Sequence, residues 1–208
     1  MYIPAHFAET RLHVLHDLIR RHPLGTLIAS TPSGLEANHI PFLLSEAPGG
    51  HGVLRCHVAR ANTIWNCLSE EQEVLVVFQG EGAYVSPSLY EAKTKDGKVV
   101  PTWNYVAVHA YGKPRVVTDH AWLHELVSDL TDTHEAAREI PWRVSDAPSD
   151  YVAKMLGAIV GIEIPITRLL GKWKASQNRA STDRASVAAD LSDFAPEISS
   201  VVAGTSHR

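Results

Sequence analysis

Residues 73–86, EVLVVFQGEGAYVS, decide the fold of this chain. Two runs rich in β-branched and aromatic residues, 73–78 and 83–86, flank a pair of glycines, which is typical of strands separated by a turn. Similar short runs precede them, at 26–30, 38–44 and 52–58. Closely spaced antiparallel strands of this kind predict a mainly β fold, either a barrel or a sandwich.

The rest of the chain adds helices around these strands. Residues 102–117 form one long strand pattern, in which Trp103 and Tyr105 alternate with Thr102 and Asn104. Apolar residues at helical spacing predict helices at 9–22, 61–70, 119–138 and 148–156, followed by a final strand at 158–169. Thr118 or Asp119 is the predicted N-cap of the helix at 119–138. We expect an α+β domain over residues 1–179. Residues 180–208, rich in Ala, Ser and Asp, are expected to form a weakly ordered tail.

Composition excludes several classes of protein. The formal net charge is −4, and DNA binding through the chain's own surface is doubtful because such binding depends on clustered Lys and Arg. Only two cysteines occur, and the N-terminus carries no secretion signal, so we expect a cytoplasmic protein. No apolar run reaches the roughly 18 residues that a membrane-spanning helix needs.

A first candidate site lies where a strand leads into a helix, in the segment HVARAN at 57–62. His57, Arg60 and Asn62 converge there with the N–H groups of the helix N-terminus, an arrangement that suits a phosphate. The alternative is structural: Arg60 forms a salt bridge, and Asn62 caps the helix.

A second candidate is the segment GKWKASQNR at 171–179. Lys172, Lys174 and Arg179 are cations, and Ser176 adds a hydroxyl group, so the segment suits an anionic ligand. It is equally well interpreted as the solvated basic end of a strand.

A third candidate combines two aromatic stretches, 84–90 and 101–105. Their apolar rings and hydroxyl groups suit a flat heteroaromatic molecule, which needs stacking faces and a few hydrogen-bond partners at its rim. The alternative is that these rings belong to the barrel core.

Other common sites are absent from the sequence or weakly indicated. His120 and His124 have the i, i+4 spacing of a zinc site, but no HExxH pattern accompanies them, and solvated helix histidines explain them better. We therefore expect no metal. The sequence contains no GxSxG, Walker A or GxGxxG motif, and it identifies no catalytic residue.

Taken together, seven segments resemble the PaiB-type FMN-binding negative transcriptional regulators: 1–7, 38–42, 57–62, 78–80, 84–90, 101–105 and 172–179. The resemblance implies an FMN-binding split β-barrel with flanking helices, shared with pyridoxamine-phosphate-oxidase-like flavoproteins, and FMN at a homodimer interface. The resemblance also implies candidates for contact with the phosphate and ribityl region of FMN: His57, Arg60, Asn62, Lys172, Lys174 and Ser176. It implies a second group of candidates for contact with the flavin ring: Tyr84, Ser86, Ser88, Thr102, Trp103 and Asn104.

The chain departs from the family pattern at two positions. Thr63 stands where Pro is expected at the start of the short helix, a change of little cost. Leu89 stands where Trp is usual, which removes an aromatic side chain near the predicted ring wall and bears on flavin affinity.

The resemblance implies a regulator, although the sequence shows no helix-turn-helix signature. The alternative is an FMN-dependent oxidoreductase that uses a nicotinamide donor. A third interpretation is haem binding, with His109 or the tail residue His207 as axial ligand.

Overall fold

The computed structural model of the chain describes residues 1–47, 50–95 and 97–205. The strands are β1 (Ala8–Glu9), β2 (Leu24–Thr31), β3 (Gly34–Pro41), β4 (Leu43–Ser45), β5 (Val53–Ala59), β6 (Val74–Val85), β7 (Thr102–Gly112), β8 (Arg115–Val117) and β9 (Ile159–Lys174). The α-helices are α1 (Leu12–Arg21), α2 (Ala92–Lys95), α3 (His120–Glu135), α4 (Ser149–Gly157), α5 (Ser181–Leu191) and α6 (Pro196–Ala203). Short 3₁₀ turns connect several of them, including Thr63–Cys67 and Pro87–Leu89.

The strands form a 9-stranded sheet in the order β3-β2-β6-β7-β9-β5-β4, and β1 and β8 also pair with β9. The pairs β2–β3, β2–β6 and β5–β9 are antiparallel. The sequence predicts two strands within 73–86, whereas the structure has the single strand β6. The glycines continue the strand because the partner packs closely: a Cβ at Gly80 would lie 2.6 Å from the Val106 side chain.

The described residues form two compact units, and the expectation of one domain over residues 1–179 stays a prediction. Unit 1 comprises Met1–His22, Phe78–His109 and Leu170–Arg208, and unit 2 comprises Pro23–Val77 and Ala110–Leu169. The long strands β6, β7 and β9 each contribute one part to either unit. The sequence shows no linker because the chain passes between the units inside continuous strands.

Unit 2 packs the helices α3 and α4 against its sheet. Asp119 accepts a hydrogen bond of 2.8 Å from the backbone N–H of Trp122, which caps α3 as predicted. The Trp122 ring lies against β9 at Gly161, where a Cβ would come within 2.3 Å of it. Leu123 and Leu126 are fully buried on the same helix, so one face of α3 completes the core of unit 2.

In unit 1 the C-terminal segment contains the helices α5 and α6, where a weakly ordered tail was expected. The helices α5 and α6 bury four apolar side chains at helical spacing: Val187, Leu191, Ile198 and Val202. Two hydrogen bonds from backbone N–H groups to carboxylate side chains add to this packing. Glu91 N–H donates to Asp183 at 2.9 Å, and Ile198 N–H donates to Glu81 at 3.0 Å. The Ala- and Ser-rich composition concealed this narrow apolar stripe.

Helix α1 follows the predicted pattern over a shorter range. Val14, Leu15, Leu18 and Ile19 lie on one stripe, and all four are buried. Over the described ranges, no helix is both long and apolar enough to cross a bilayer.

Candidate functional site

The ends of β7 and β9 form a polar pocket in unit 1, with a volume of about 180 Å³. The residues that line it are Phe7, Tyr90, Val100, Pro101, Thr102, Asn104, Lys174, Ser176, Asn178 and Arg179. Four of the predicted cofactor residues meet here, namely Thr102, Asn104, Lys174 and Ser176. The sequence alone placed them in two separate groups, whereas the strand pairing of unit 1 brings them together.

The floor of the polar pocket is a buried pair of polar side chains. The Asn104 amide donates a hydrogen bond of 2.9 Å to the Ser176 hydroxyl, and both residues are almost fully buried. Ser176 has a φ of 59°, which is uncommon for a residue other than glycine. Gln177 holds this turn, because its side chain accepts a bond from Ala175 N–H and donates one to the Trp173 carbonyl. A strained, well-supported turn of this kind is characteristic of functional sites.

Lys174 supplies positive charge at the rim of the polar pocket. Its ammonium group donates to the Thr102 hydroxyl and, at 2.6 Å, to the Trp103 carbonyl. Burial lowers the pKa of Lys174, and repulsion from Lys172 lowers it further. An anion bound here would stabilise the ammonium form, so the site favours a negatively charged group.

Tyr90 and Arg179 form another wall of the polar pocket. Neither residue was among the predicted cofactor residues. The Arg179 guanidinium lies over the Tyr90 ring, 4.4 Å from its centroid. The Tyr90 hydroxyl is buried and has no hydrogen-bond partner among the described residues. An orphaned hydroxyl beside a cation is available to a ligand oxygen. The sequence signals were the two cations before Arg179 and the hydroxyl-rich stretch that ends at Tyr90.

The strands β6 and β7 of unit 1 carry exposed aromatic side chains, and those of β7 lie on the face opposite Thr102 and Asn104. Tyr84 and Trp103 pack edge to face at 6.2 Å between ring centroids, and they are 49% and 58% exposed. Lys172 Nζ lies 5.2 Å from the Tyr105 ring centroid. We call Tyr84, Trp103 and Tyr105 the aromatic face. Each exposed ring offers an apolar face against which a planar heterocycle can stack.

The predicted contacts Ser86 and Ser88 form a local turn. Their hydroxyl groups are 2.7 Å apart, and Ser86 also caps the 3₁₀ turn Pro87–Leu89 by accepting from Ser88 N–H. Leu89 lies inside this turn. The arrangement shows a capping role for Ser86.

The remaining predicted residues, His57, Arg60 and Asn62, belong to unit 2. Arg60 donates to the carbonyls of Gly157 and Ile159 at 2.9 and 3.0 Å. Asn62 caps the 3₁₀ turn that starts at Thr63 by accepting from Ile64 N–H. Both residues therefore make the structural interactions that the sequence allowed as an alternative, although Arg60 pairs with carbonyls and not with a carboxylate. Their role at a phosphate stays a prediction.

Comparison with known proteins identifies the family. The model of the family described as "Putative FMN-binding domain" matches residues 1–168. The chain belongs to this FMN-binding family. FMN is accordingly supported as its cofactor, as the sequence motifs predicted.

Two relatives illustrate the family's range. An uncharacterized protein of Emericella nidulans is 37% identical over 238 residues, covering 98% of this chain and 95% of the relative. The Bacillus subtilis protease synthase and sporulation protein PAI 2 is 31% identical over 191 residues, covering 92% of this chain and 89% of that protein. The predicted resemblance to PaiB-type proteins is confirmed.

Solved structures share the fold at low sequence identity. The flavocytochrome Anf3 from Azotobacter vinelandii superposes with a TM-score of 0.57 at 14% identity, covering 80% of this chain and 69% of that one. The FAD and heme binding protein from Mycobacterium smegmatis gives 0.59 at 18%, covering 86% and 78%. They confirm the predicted split β-barrel with flanking helices.

The side chains of unit 1 fit FMN. The polar pocket is smaller than the roughly 300–1,000 Å³ typical of a site for a whole organic ligand, so it suits one polar end of the molecule. Lys174, Arg179 and the orphaned Tyr90 hydroxyl are donors that a phosphate needs. The aromatic face provides apolar rings for the isoalloxazine. FMN supplies redox chemistry when bound, and these residues bind and orient it.

The metal and haem hypotheses gain no support from geometry. Among the described side chains, no cluster of three or more His, Cys, Asp or Glu residues is arranged to hold a metal ion. Of the two predicted axial ligands for haem, His109 lies on β7 and His207 lies outside the described residues.

Proposed function

We propose that this chain binds FMN non-covalently at the polar pocket and aromatic face of unit 1. The observation that carries this proposal is the close placement of exposed aromatic rings and cations, Lys172 beside Tyr105 and Lys174 bonded to the backbone of Trp103. A flavin phosphate requires the cations, and the flavin ring requires the aromatic surface. The pocket and the rings belong to unit 1 but lie on opposite faces of its sheet, so in a dimer one FMN contacts the pocket of one protomer and the aromatic face of its partner.

The test is retention of flavin. The purified chain is saturated with FMN and desalted, and its visible absorption spectrum is recorded. Flavin bands that survive desalting, and that are lost in Lys174→Met, support the proposal. A spectrum without flavin from the folded wild-type protein contradicts it.

We further propose that the protein is a homodimer. Tyr84 and Trp103 expose about half of their surface on the sheet of unit 1. A partner subunit covers apolar area of this kind in symmetric oligomers. The family resemblance also implies FMN at an interface. Light scattering coupled to gel filtration should give twice the mass of one chain, and the mass of a single chain contradicts a dimer.

We propose a regulatory role that is exerted indirectly in the cytoplasm, and one of the relatives supports it. The Bacillus relative is named for protease synthesis and sporulation. The formal net charge of −4 speaks against non-specific contact with DNA phosphates. Sequence-specific DNA binding by the purified protein at physiological salt would contradict indirect action.

An FMN-dependent oxidoreductase is the second candidate function. The observation in its favour is membership of the FMN-binding family, since FMN supplies redox chemistry when bound. The test is anaerobic mixing of the FMN-loaded protein with NADH or NADPH. Rapid bleaching of the flavin bands favours an enzyme, and a flavin that stays oxidised disfavours it.

A further inference from the structure

A large apolar cavity that is open to solvent lies in unit 2, at the end of β5 and against α3 and α4. Its volume of about 460 Å³ lies within the range of small-molecule sites. Most of its wall is aliphatic or aromatic, including Val127, Trp142, Tyr151, Met155 and Leu156. We call it the apolar cavity. Within the described residues, neither Lys nor Arg lines it, so it does not suit a phosphate or a carboxylate.

Two aromatic rings stand at the mouth of the apolar cavity. Trp142 is 48% exposed and Tyr151 is 55% exposed, although both line its wall. Met155 contributes a flexible thioether between the rings and the cavity lining and is also exposed. Aromatic and thioether groups in this setting gain most by covering a flat apolar molecule.

The loop that carries Trp142 is held in place before any ligand binds. The backbone N–H of Trp142 donates to the Glu135 carboxylate at 3.1 Å, and Glu135 also forms a salt bridge with Arg138 at 3.0 Å. The next residue, Arg143, donates its N–H to Asp146 at 2.9 Å. These bonds hold the backbone at Trp142 and Arg143, and a prearranged wall reduces the entropy lost on binding.

The polar groups of the cavity wall differ in their bonding. The Thr131 hydroxyl donates to the Val127 carbonyl at 2.7 Å and is satisfied. His57, which lies opposite Gly161 in the β5–β9 pairing, has a buried Nδ1 with no hydrogen-bond partner in the part of the chain that the structure describes. Burial lowers the pKa of His57, so the imidazole is neutral and carries one donor and one acceptor. Because Nδ1 is enclosed while His57 lines the cavity, a ligand meets the imidazole at its other edge, where Nε2 can donate or accept one hydrogen bond.

We propose that the apolar cavity binds an uncharged, planar aromatic molecule whose single hydrogen-bonding group pairs with the imidazole of His57. The cavity volume, the aromatic mouth and the unpartnered imidazole carry this inference together. It does not depend on FMN binding in unit 1. The same features assign His57 to this ligand in preference to the FMN phosphate, because an apolar wall and a neutral imidazole disfavour an anion.

The probe is 2-naphthol, which is planar and uncharged at neutral pH and carries one hydroxyl group. Its fluorescence anisotropy is followed as the full-length protein is added, with naphthalene-2-sulfonate as the anionic counterpart. We expect saturable 2-naphthol binding in the micromolar range and clearly weaker binding of the sulfonate. His57→Phe should weaken 2-naphthol binding roughly threefold to tenfold, the effect of one neutral hydrogen bond.

Two substitutions fill the cavity, and a third substitution serves as their control. Ala59→Trp and Ala158→Leu add bulk to lining residues and should abolish binding, whereas Ala153→Trp adds bulk to an exposed residue of α4 outside the lining and should not. Far-UV circular dichroism checks that each variant folds. Unchanged 2-naphthol binding in both folded cavity-filling variants would overturn the proposal.

Two further readouts separate this site from its alternatives. If FMN displaces 2-naphthol stoichiometrically, the cavity belongs to the flavin site, and a separate ligand is excluded. If Ala59→Trp converts a dimer to a monomer, a second copy of the chain covers the cavity, and the proposal is wrong. FMN retained by Ala59→Trp, together with lost 2-naphthol binding, supports two independent sites. Loss of FMN from Lys174→Met with naphthol binding intact tests the flavin proposal alone.

Discussion

The Asn104 amide donates to the Ser176 hydroxyl at 2.9 Å, joining the start of β7 to the turn that follows β9. The two residues are 72 positions apart in the chain. Both side chains are buried, and Ser176 has a left-handed backbone conformation, with φ 59°, that is unfavourable for a residue other than glycine. The polar pocket therefore rests on a hydrogen bond that offsets local backbone strain.

Substitutions at Ser176 should separate these two effects. Ser176→Ala removes the hydroxyl and keeps the unfavourable φ, so we expect a loss of about 1–3 kcal/mol in the free energy of unfolding. Ser176→Gly also removes the hydroxyl but relieves a backbone cost of roughly 1–2 kcal/mol, and it should be the more stable variant. Urea denaturation measures both. An alanine variant as stable as the wild type would show that the pair contributes nothing.

Lys174 should contribute strongly to flavin affinity. Replacing it with Met removes a charge-assisted contact worth about 1.5–3 kcal/mol, so we expect FMN to bind about 10- to 100-fold more weakly. Lys113→Met, at an exposed position of unit 2, is the matched control and should bind FMN normally. Flavin fluorescence titration gives the Kd values. Equal losses in the two variants would indicate a general charge effect.

The pH dependence of FMN binding offers a separate test of Lys174. Because burial and Lys172 lower its pKa, the ammonium group loses its proton below the ordinary value of 10.5. The affinity of the wild type should therefore fall as the pH rises toward that value, and the fall should be absent in Lys174→Met. A titration of flavin fluorescence at increasing pH follows it. The same fall in both proteins would exclude Lys174 as its source.

Two tryptophans of unit 1 should behave in opposite ways. Trp103 is 58% exposed, so Trp103→Ala should weaken FMN binding while changing the free energy of unfolding by less than about 1 kcal/mol. Trp173 is 5% exposed, and Trp173→Ala should cost about 3–5 kcal/mol. Urea denaturation and flavin titration of each variant distinguish a ligand contact from a core residue. Normal FMN binding by Trp103→Ala would remove it from the site.

His57 should make the protein less stable in acid. Its pKa in the folded state lies below the ordinary 6.5 because it is buried, so the unfolded chain takes up the proton first as the pH falls. The resulting loss of stability begins near the ordinary value and grows until the folded state is also protonated. His57→Gln should flatten this part of the stability curve, and the exposed His124→Gln should not. Urea midpoints measured from neutral to mildly acidic pH provide the comparison.

Removal of the C-terminal helices should destabilise the protein severely. A chain ending at Arg179 lacks α5 and α6 and exposes the surface of unit 1 that these helices cover. We expect it to lose its cooperative unfolding transition. Leu191→Ala, at a fully buried position, should cost about 2–5 kcal/mol and provides a folded intermediate case. A truncated chain with the urea midpoint of the full chain would contradict this prediction and support a weakly ordered C-terminal tail.

Local patterns account for the parts of this protein that the sequence predicted. The apolar stripe of α1, the cap of α3 at Asp119 and the cap at Asn62 all depend on residues within four positions of one another. The division of the candidate phosphate residues between two units, by contrast, followed from no local signal. Arg60 illustrates this limit, because its partners Gly157 and Ile159 are almost a hundred residues away.

The sequence by itself determined the mainly β class, the main helices and strands and the family, since periodicity, caps and ordered motifs are properties of neighbouring residues. Only the tertiary structure decided that Thr102 and Asn104 meet Lys174 and Ser176, that Tyr90 keeps an orphaned hydroxyl and that His57 faces an apolar wall. The physical reason is that strand register and burial depend on contacts between distant segments. A side chain's charge and hydrogen-bond partners follow from those contacts.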